Sequence, residues 1–421
     1  MYAYELFATA FVSRLAQRLA YRFGHRLAHR FAHHEAPNFA MIDSKFPDIG
    51  TTIFTTMSAL AAEVGAVNLG QGFPDFGCDP RLLDAVNDAM RAGHNQYPPM
   101  AGVMSLRDAV AAKVAALYDR QYDPVSEITI TAGATQAIHT TLAAIVRPGD
   151  EVIVFEPVFD SYEPGIRMHG GVAVYARLNF PDYRPDWEQL RSLITPKTRA
   201  VMVNTPHNPT ATRWERADFD QLAAILRDTN IVVISDEVYE HMVYDGQAHV
   251  SASSHTELAA RSYVVSSFGK TLHVTGWKVG YCMAPAALMA EFRKAHQFVV
   301  FTVNSPAQYG VAAYMRFNTH LDLAAFYQVK RDYFLAAVAG SRLAWLPCSS
   351  TYFVSGQYAH LPEYADMSEA DFAICLTRQI GVACIPTSAF YHDKTDDRVV
   401  RFCFAKTEAT LAKAAERLRS I

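Results

Sequence analysis

Residues 231–239 read IVVISDEVY. Four β-branched residues in a row and a serine make a run that is short, apolar and without alternation. That describes a strand buried on both faces. The run stops on a carboxylate, Asp236, and Tyr239 follows three residues later. Open α/β sheets place their functional groups in this way, at the carboxyl ends of buried strands.

Working outward, the pattern recurs. Six further β-branched runs occupy 127–133, 150–157, 172–178, 198–206, 262–269 and 278–285, with helical patterns between them such as 135–146 and 215–229. Alternation of this kind predicts an α/β fold with a mostly parallel, seven-stranded sheet. After residue 305 the helical patterns lengthen (307–316, 321–339), and the chain ends with a short strand pair around 399–404 and a helix over 408–420. The expected organisation is a large domain over 76–305 and a smaller α+β domain over 306–421. Residues 41–75 form an arm that joins the smaller one.

Several polar residues stand where such strands end. Lys270 follows SYVVSSFG, with Ser267 three residues before it, and Asn208 follows RAVMVNTP. Gly133, Ala134 and Thr135 join a strand to a helix, where unpaired backbone N–H groups suit a phosphate. An amine, a carboxylate, a phenol, an amide and a phosphate cradle together describe a site for pyridoxal 5'-phosphate.

Six stretches carry a resemblance: NLGQGFPDF (68–76), NQYPPMAG (95–102), TAGATQA (131–137), NTPHNPT (204–210), SDEVYEH (235–241) and SFGKTLHVTGWKVGY (267–281). In this order the chain from Met41 onward resembles the class I aminotransferases of fold type I. Within them it is similar to the branch of bacterial methionine aminotransferases and animal kynurenine/glutamine transaminases. The resemblance implies roles for matching residues. Lys270 would condense with the cofactor's aldehyde and then carry the Cα proton. Asp236 would pair with the pyridine nitrogen and favour its charged form. Tyr239 and Asn208 would bond the ring oxygen, and Phe159 would stack on the ring. The phosphate would rest on Gly133, Ala134, Thr135, Ser267 and Lys278. Arg401 would clamp the substrate carboxylate, helped by Gly72 and Asn208. Tyr97 would reach the phosphate of the other subunit's cofactor in a homodimer with shared sites. Two positions depart from the pattern: Ala211 replaces the glycine expected after NPT, and Thr135 stands where the animal enzymes carry an aromatic residue.

Composition agrees with an enzyme. The 421 residues are 50% hydrophobic and 19% charged, with a formal net charge of −4. These are proportions of a globular protein rather than a disordered one. Near-neutral charge gives no case for nucleic acid as a partner. No apolar run reaches the roughly 18 residues that span a bilayer. The six cysteines form no CxxC pair, which speaks against a metal site and for a reducing, cytoplasmic setting. Residues 1–40 differ. Arg14, Arg18, Arg22, Arg26 and Arg30 recur every four residues with histidines between them. A period of four drifts around a helix and leaves no tidy face. A non-native extension upstream of Met41 is the favoured reading, with a targeting peptide and a His metal tract as alternatives.

The expected activity is transfer of the amino group of an L-amino acid to a 2-oxo acid by a ping-pong cycle, with methionine and other large uncharged or aromatic donors favoured. A pyridoxal phosphate C–S β-lyase would use the same Lys270 and Asp236. A non-catalytic ligand sensor is disfavoured by the intact Lys270, Asp236 and Arg401.

Overall fold

A computed structural model describes residues 43–421, and the repeat within residues 1–40 lies outside the described residues. Fourteen strands follow in chain order. They are β1 (Val67–Asn68), β2 (Ile128–Thr131), β3 (Glu151–Glu156), β4 (Val172–Asn179), β5 (Arg184–Pro185), β6 (Thr198–Asn204) and β7 (Val232–Asp236). The later ones are β8 (Ser262–Ser267), β9 (Gly280–Met283), β10 (Ala344–Trp345), β11 (Phe353–Gln357), β12 (Val382–Ala383), β13 (Ile385–Pro386) and β14 (Val399–Cys403).

The central sheet has eight strands in the order β2-β9-β8-β7-β6-β3-β4-β5. The strands from β8 to β4 in that order run parallel; β2, β9 and β5 join antiparallel at the edges. All seven predicted strands are present. The eighth, β5, is a two-residue edge that caps β4 at Leu178 and Asn179. Two residues carry no periodicity, so no pattern could have announced it.

β7 is buried along nearly its whole length, as its unbroken apolar run requires. Its register decides the site. Asn204 pairs with Asp236, and Asp236 pairs with Val265, two residues before Ser267. The carboxyl ends of β6, β7 and β8 therefore open side by side. β9 returns antiparallel and sets Gly280 opposite Ser267.

A second, antiparallel sheet runs β10-β11-β14-β13. Arg401 lies on β14 between Ser355 of β11 and Ile385 of β13. A two-stranded parallel pairing joins Val67 to Val382 and Asn68 to Ala383. Helices cover the central sheet, among them Met104–Tyr118, Gly133–Ile145 and Arg216–Leu226. The predicted helix over 321–339 begins instead with a 3-10 turn, Thr319–Asp322, before Leu323–Ala337. No helix among the described residues is long and apolar enough to cross a membrane.

Candidate active site

The strand ends open onto a cavity of about 370 Å³. Lys270, Asp236, Tyr239, Asn208, Ser267, Lys278 and Arg401 line it, as do Gly72, Ala134, Thr135 and Phe159. Residues separated by more than three hundred positions thus share one wall.

Asp236 closes β7 and is 5% exposed. Its Oδ2 accepts from the Tyr162 hydroxyl at 2.6 Å and its Oδ1 from the Val238 amide at 3.3 Å. Burial pushes its carboxyl up to about 6, and these two donors and Lys270 oppose the rise. Lys270 sits in a short helix (Phe268–Thr271) capped by Ser267, whose Oγ accepts from the Gly269 amide at 3.1 Å. Burial pulls the Lys270 amine down to about 8, and the cations Lys278 and Arg401 add to that. Its Nζ donates to the Gly72 carbonyl at 3.3 Å. An amine that gives up its proton near pH 8 is a nucleophile and a base far closer to neutrality than an ordinary lysine.

The helix Gly133–Ile145 begins beside this lysine with no side-chain cap; the Ala132 amide ahead of it is taken by Gln136 Oε1 at 2.8 Å, and the N–H groups from Gly133 onward have no partner within the helix. Lys278 comes to the same place in a left-handed backbone conformation, φ 54°. A methyl group on Gly133 would stand 3.3 Å from its Nζ, and φ at Gly133 is itself +80°. Uncapped helix N-terminus, ammonium and the Ser267 hydroxyl form a cradle that fits a dianionic group.

Arg401 is 1% exposed. Its guanidinium donates to Asn208 Oδ1 at 2.5 Å and the Gly70 carbonyl at 3.1 Å, and its Nε has no partner. It lies 4.0 Å from the Phe353 ring centroid, with Phe390 at 5.1 Å and Phe54 at 5.6 Å. Among the described residues no carboxylate forms a salt bridge with it. Asp160 lines the same cavity and acts on Arg401 through charge alone, without a salt bridge, so the guanidinium keeps donors that suit a carboxylate.

Three placements add to the sequence reading. Tyr97 lies outside the cavity, 82% exposed, with its ring edge-on to Phe301 at 5.4 Å. Ala211 adopts φ 60°, the conformation a glycine would favour. Its carbonyl accepts from the Ser349 amide at 3.1 Å and the Ser350 hydroxyl at 3.0 Å, which keeps the turn. Thr135 faces the cavity from the uncapped helix.

Sequence reasoning missed two tyrosines. Tyr162 stands one helical turn after Phe159, a spacing that could have flagged it. Tyr352 is fully buried and its hydroxyl donates to the Gly72 carbonyl at 2.6 Å. It comes from the turn that leads into β11 of the second sheet, and nothing local in sequence signals it.

Behind the cavity Glu240 is buried and accepts from Lys113 Nζ, Ser266 Oγ and Tyr118 OH, each at 2.6 Å, and from Tyr281 OH at 2.8 Å. Burial alone would raise its carboxyl, yet the Lys113 ammonium and neighbouring donors hold it well below the usual range. This network ties the β7 turn to β8, β9 and the helix Met104–Tyr118.

The family model described as "Aminotransferase class I and II" matches residues 64–418. A methionine aminotransferase of Escherichia coli is 48% identical over 380 residues, covering 90% of this chain and 98% of its own. A kynurenine–oxoglutarate transaminase 1 of Rattus norvegicus is 33% identical over 405 residues, 88% of this chain and 96% of that one. The solved structure of N-succinyldiaminopimelate aminotransferase from Mycobacterium tuberculosis superposes with a TM-score of 0.85 at 37% identity, over 90% of this chain and 99% of the other.

Proposed function

The chain belongs to the class I and II aminotransferases, and from that membership we propose that it moves the amino group of methionine and other large uncharged or aromatic L-amino acids to a 2-oxo acid, using pyridoxal 5'-phosphate. The observation that carries this reading is the set of groups around one cavity. A low-pKa amine, a buried carboxylate, an anion cradle and a buried guanidinium without a salt bridge each match one part of a cofactor–amino acid pair.

When bound, the cofactor's ring supplies an electron sink for the carbanion formed at the substrate Cα. The chain's own residues do the rest. Lys270, half deprotonated near pH 8, would be the amine that holds the cofactor's aldehyde end and would carry the proton from the substrate Cα. Asp236 would hold the ring nitrogen's proton. Tyr239 and Asn208 would serve the ring oxygen, and Phe159 a ring face. Lys278, Ser267 and the N–H groups from Gly133 to Thr135 would hold the phosphate. Arg401 and Asn208 would fix the α-carboxylate, with the Gly72 N–H as a further donor, and so orient the substrate toward Lys270.

Methionine preference is supported by the Escherichia coli relative and by the apolar rings of Phe54, Phe73 and Phe353 in the cavity wall. The three cations that line the cavity, Lys270, Lys278 and Arg401, are all assigned to cofactor or α-carboxylate. Exposed Tyr97 suits a homodimer in which each subunit completes the other's phosphate site. The division at residues 75/76 and 305/306 belongs to the same reading: the central sheet lies between 128 and 283, the second between 344 and 403, and β1 pairs with β12. A cytoplasmic setting accompanies it.

The test is a panel of amino donors with one 2-oxo acid, alongside L-cystathionine alone. Exchange from methionine, phenylalanine and kynurenine into the oxo acid is expected. Pyruvate from cystathionine without an acceptor, and no exchange, would replace transfer by β-elimination.

A further inference from the structure

Tyr162 has no part in the roles above, yet it touches two of the groups that would hold the cofactor ring. It opens the helix Tyr162–Met168 and is 2% exposed. Its hydroxyl donates to Asp236 Oδ2 at 2.6 Å. Its ring meets Phe159 edge-on, with centroids 5.6 Å apart and planes at 78°. Burial and the Asp236 charge hold the phenol's own acidity far above neutrality, so it remains a donor at any working pH.

We propose that Tyr162 is a positioning residue for the bound cofactor: its hydroxyl keeps Asp236 charged and fixed in one orientation for the ring nitrogen, while its ring braces Phe159 on the ring face. The proposal rests on the pyridoxal phosphate reading given above.

The physical reason lies in how Asp236 is surrounded. Burial disfavours its charge, and the Tyr162 hydroxyl is the foremost group working against burial. The others that act on it are few. Lys270 beyond β8 and the Val238 amide favour the charge, and adjacent Glu237 opposes it. Tyr239 adds its phenol from the same turn and couples to Tyr162. Glu237 itself is turned toward Ser235, His249 and the Ala252 amide. Tyr162→Phe removes the one hydroxyl donor on Oδ2 and leaves the ring, with its contact to Phe159, in place.

The experiment measures binding of pyridoxamine 5'-phosphate, which forms no bond to Lys270, to cofactor-stripped full-length protein between pH 5 and 8.5, by quenching of intrinsic fluorescence. Wild type should bind more weakly as the pH falls through about 6, the value for Asp236. In Tyr162→Phe that inflection should move up by about one pH unit, with binding about twofold weaker at pH 7 and about fivefold weaker at pH 6. In an Asp236→Asn background the added Tyr162→Phe change should have no further effect, because the coupling is lost with the carboxylate. A Tyr162→Phe curve that overlays wild type, or an equal loss with and without the Asp236 carboxylate, overturns the proposal. A wild-type protein that binds no pyridoxamine 5'-phosphate at any pH overturns the cofactor reading instead.

Discussion

Lys270 differs from a surface lysine because water has been taken from it. Burial brings its amine from the ordinary 10.5 to about 8. The rate at which pyridoxal 5'-phosphate attaches to the stripped protein should therefore rise with pH around a midpoint near 8, followed by the visible absorbance band. Lys270→Ala should form no such band and should lose about a thousandfold or more of transamination. Asp236 shows what such a site costs. Its carboxyl stands at about 6 against an ordinary 3.8, so the folded state holds the proton more tightly than the unfolded chain. The sign follows: stability from this group is full below pH 4, falls as pH rises toward 6, and stays low above that. Asp236→Asn should stabilise the cofactor-free protein by about 2 kcal/mol at pH 7, with the gap closing toward pH 4, while abolishing activity. Urea unfolding across pH tests this.

Among the elements, the helix Gly133–Ile145 and the turn after β7 have complementary duties. The helix leaves its N-terminus uncapped, which wastes hydrogen bonds unless an anion takes them. The turn is anchored from behind by the Lys113–Glu240 pair and its hydroxyl donors. Both side chains are nearly fully buried, 4% and 3% exposed. Removal of one charge strands the other, so Lys113→Met should cost about 3–5 kcal/mol of stability in thermal or urea unfolding. A double change of Lys113 and Glu240 to apolar residues should recover part of that loss. At this scale the sequence was a good guide to existence and a poor one to partners. The strands of the central sheet were legible because each is a β-branched run buried on both faces. The Glu240 network was not, because its members come from four segments and each looks ordinary alone.

For the whole molecule, the apolar surface around Tyr97 calls for explanation. Tyr97 and Phe298 are 82% and 85% exposed; Val299 and Phe301 follow Phe298 in sequence at 51% and 48%, and Phe301 is the ring that Tyr97 meets. Large apolar side chains grouped at a surface mark a contact with another chain. If the proposed homodimer forms there, Phe298→Asp should shift sedimentation from dimer toward monomer and weaken cofactor retention with it, since Tyr97 would then meet no partner phosphate. Full retention of the dimer by this variant would put the interface elsewhere.

Local pattern determined a good deal without help. β-branched runs that end on Asp236, Ser267 and the residues before Asn208 dictate buried strands with polar ends, and the motif order assigns the family. Burial and pleat act over a few residues, so they are written in short stretches. Tertiary structure alone decided how those ends meet. The registry of β6, β7 and β8 sets Asn204 beside Asp236, the second sheet and the turn leading into it bring Arg401 and Tyr352 from far along the chain, and packing strips water from Lys270 and Asp236 until their proton affinities suit the chemistry. Desolvation is a property of what surrounds a residue, and no stretch of its own neighbours in sequence contains it.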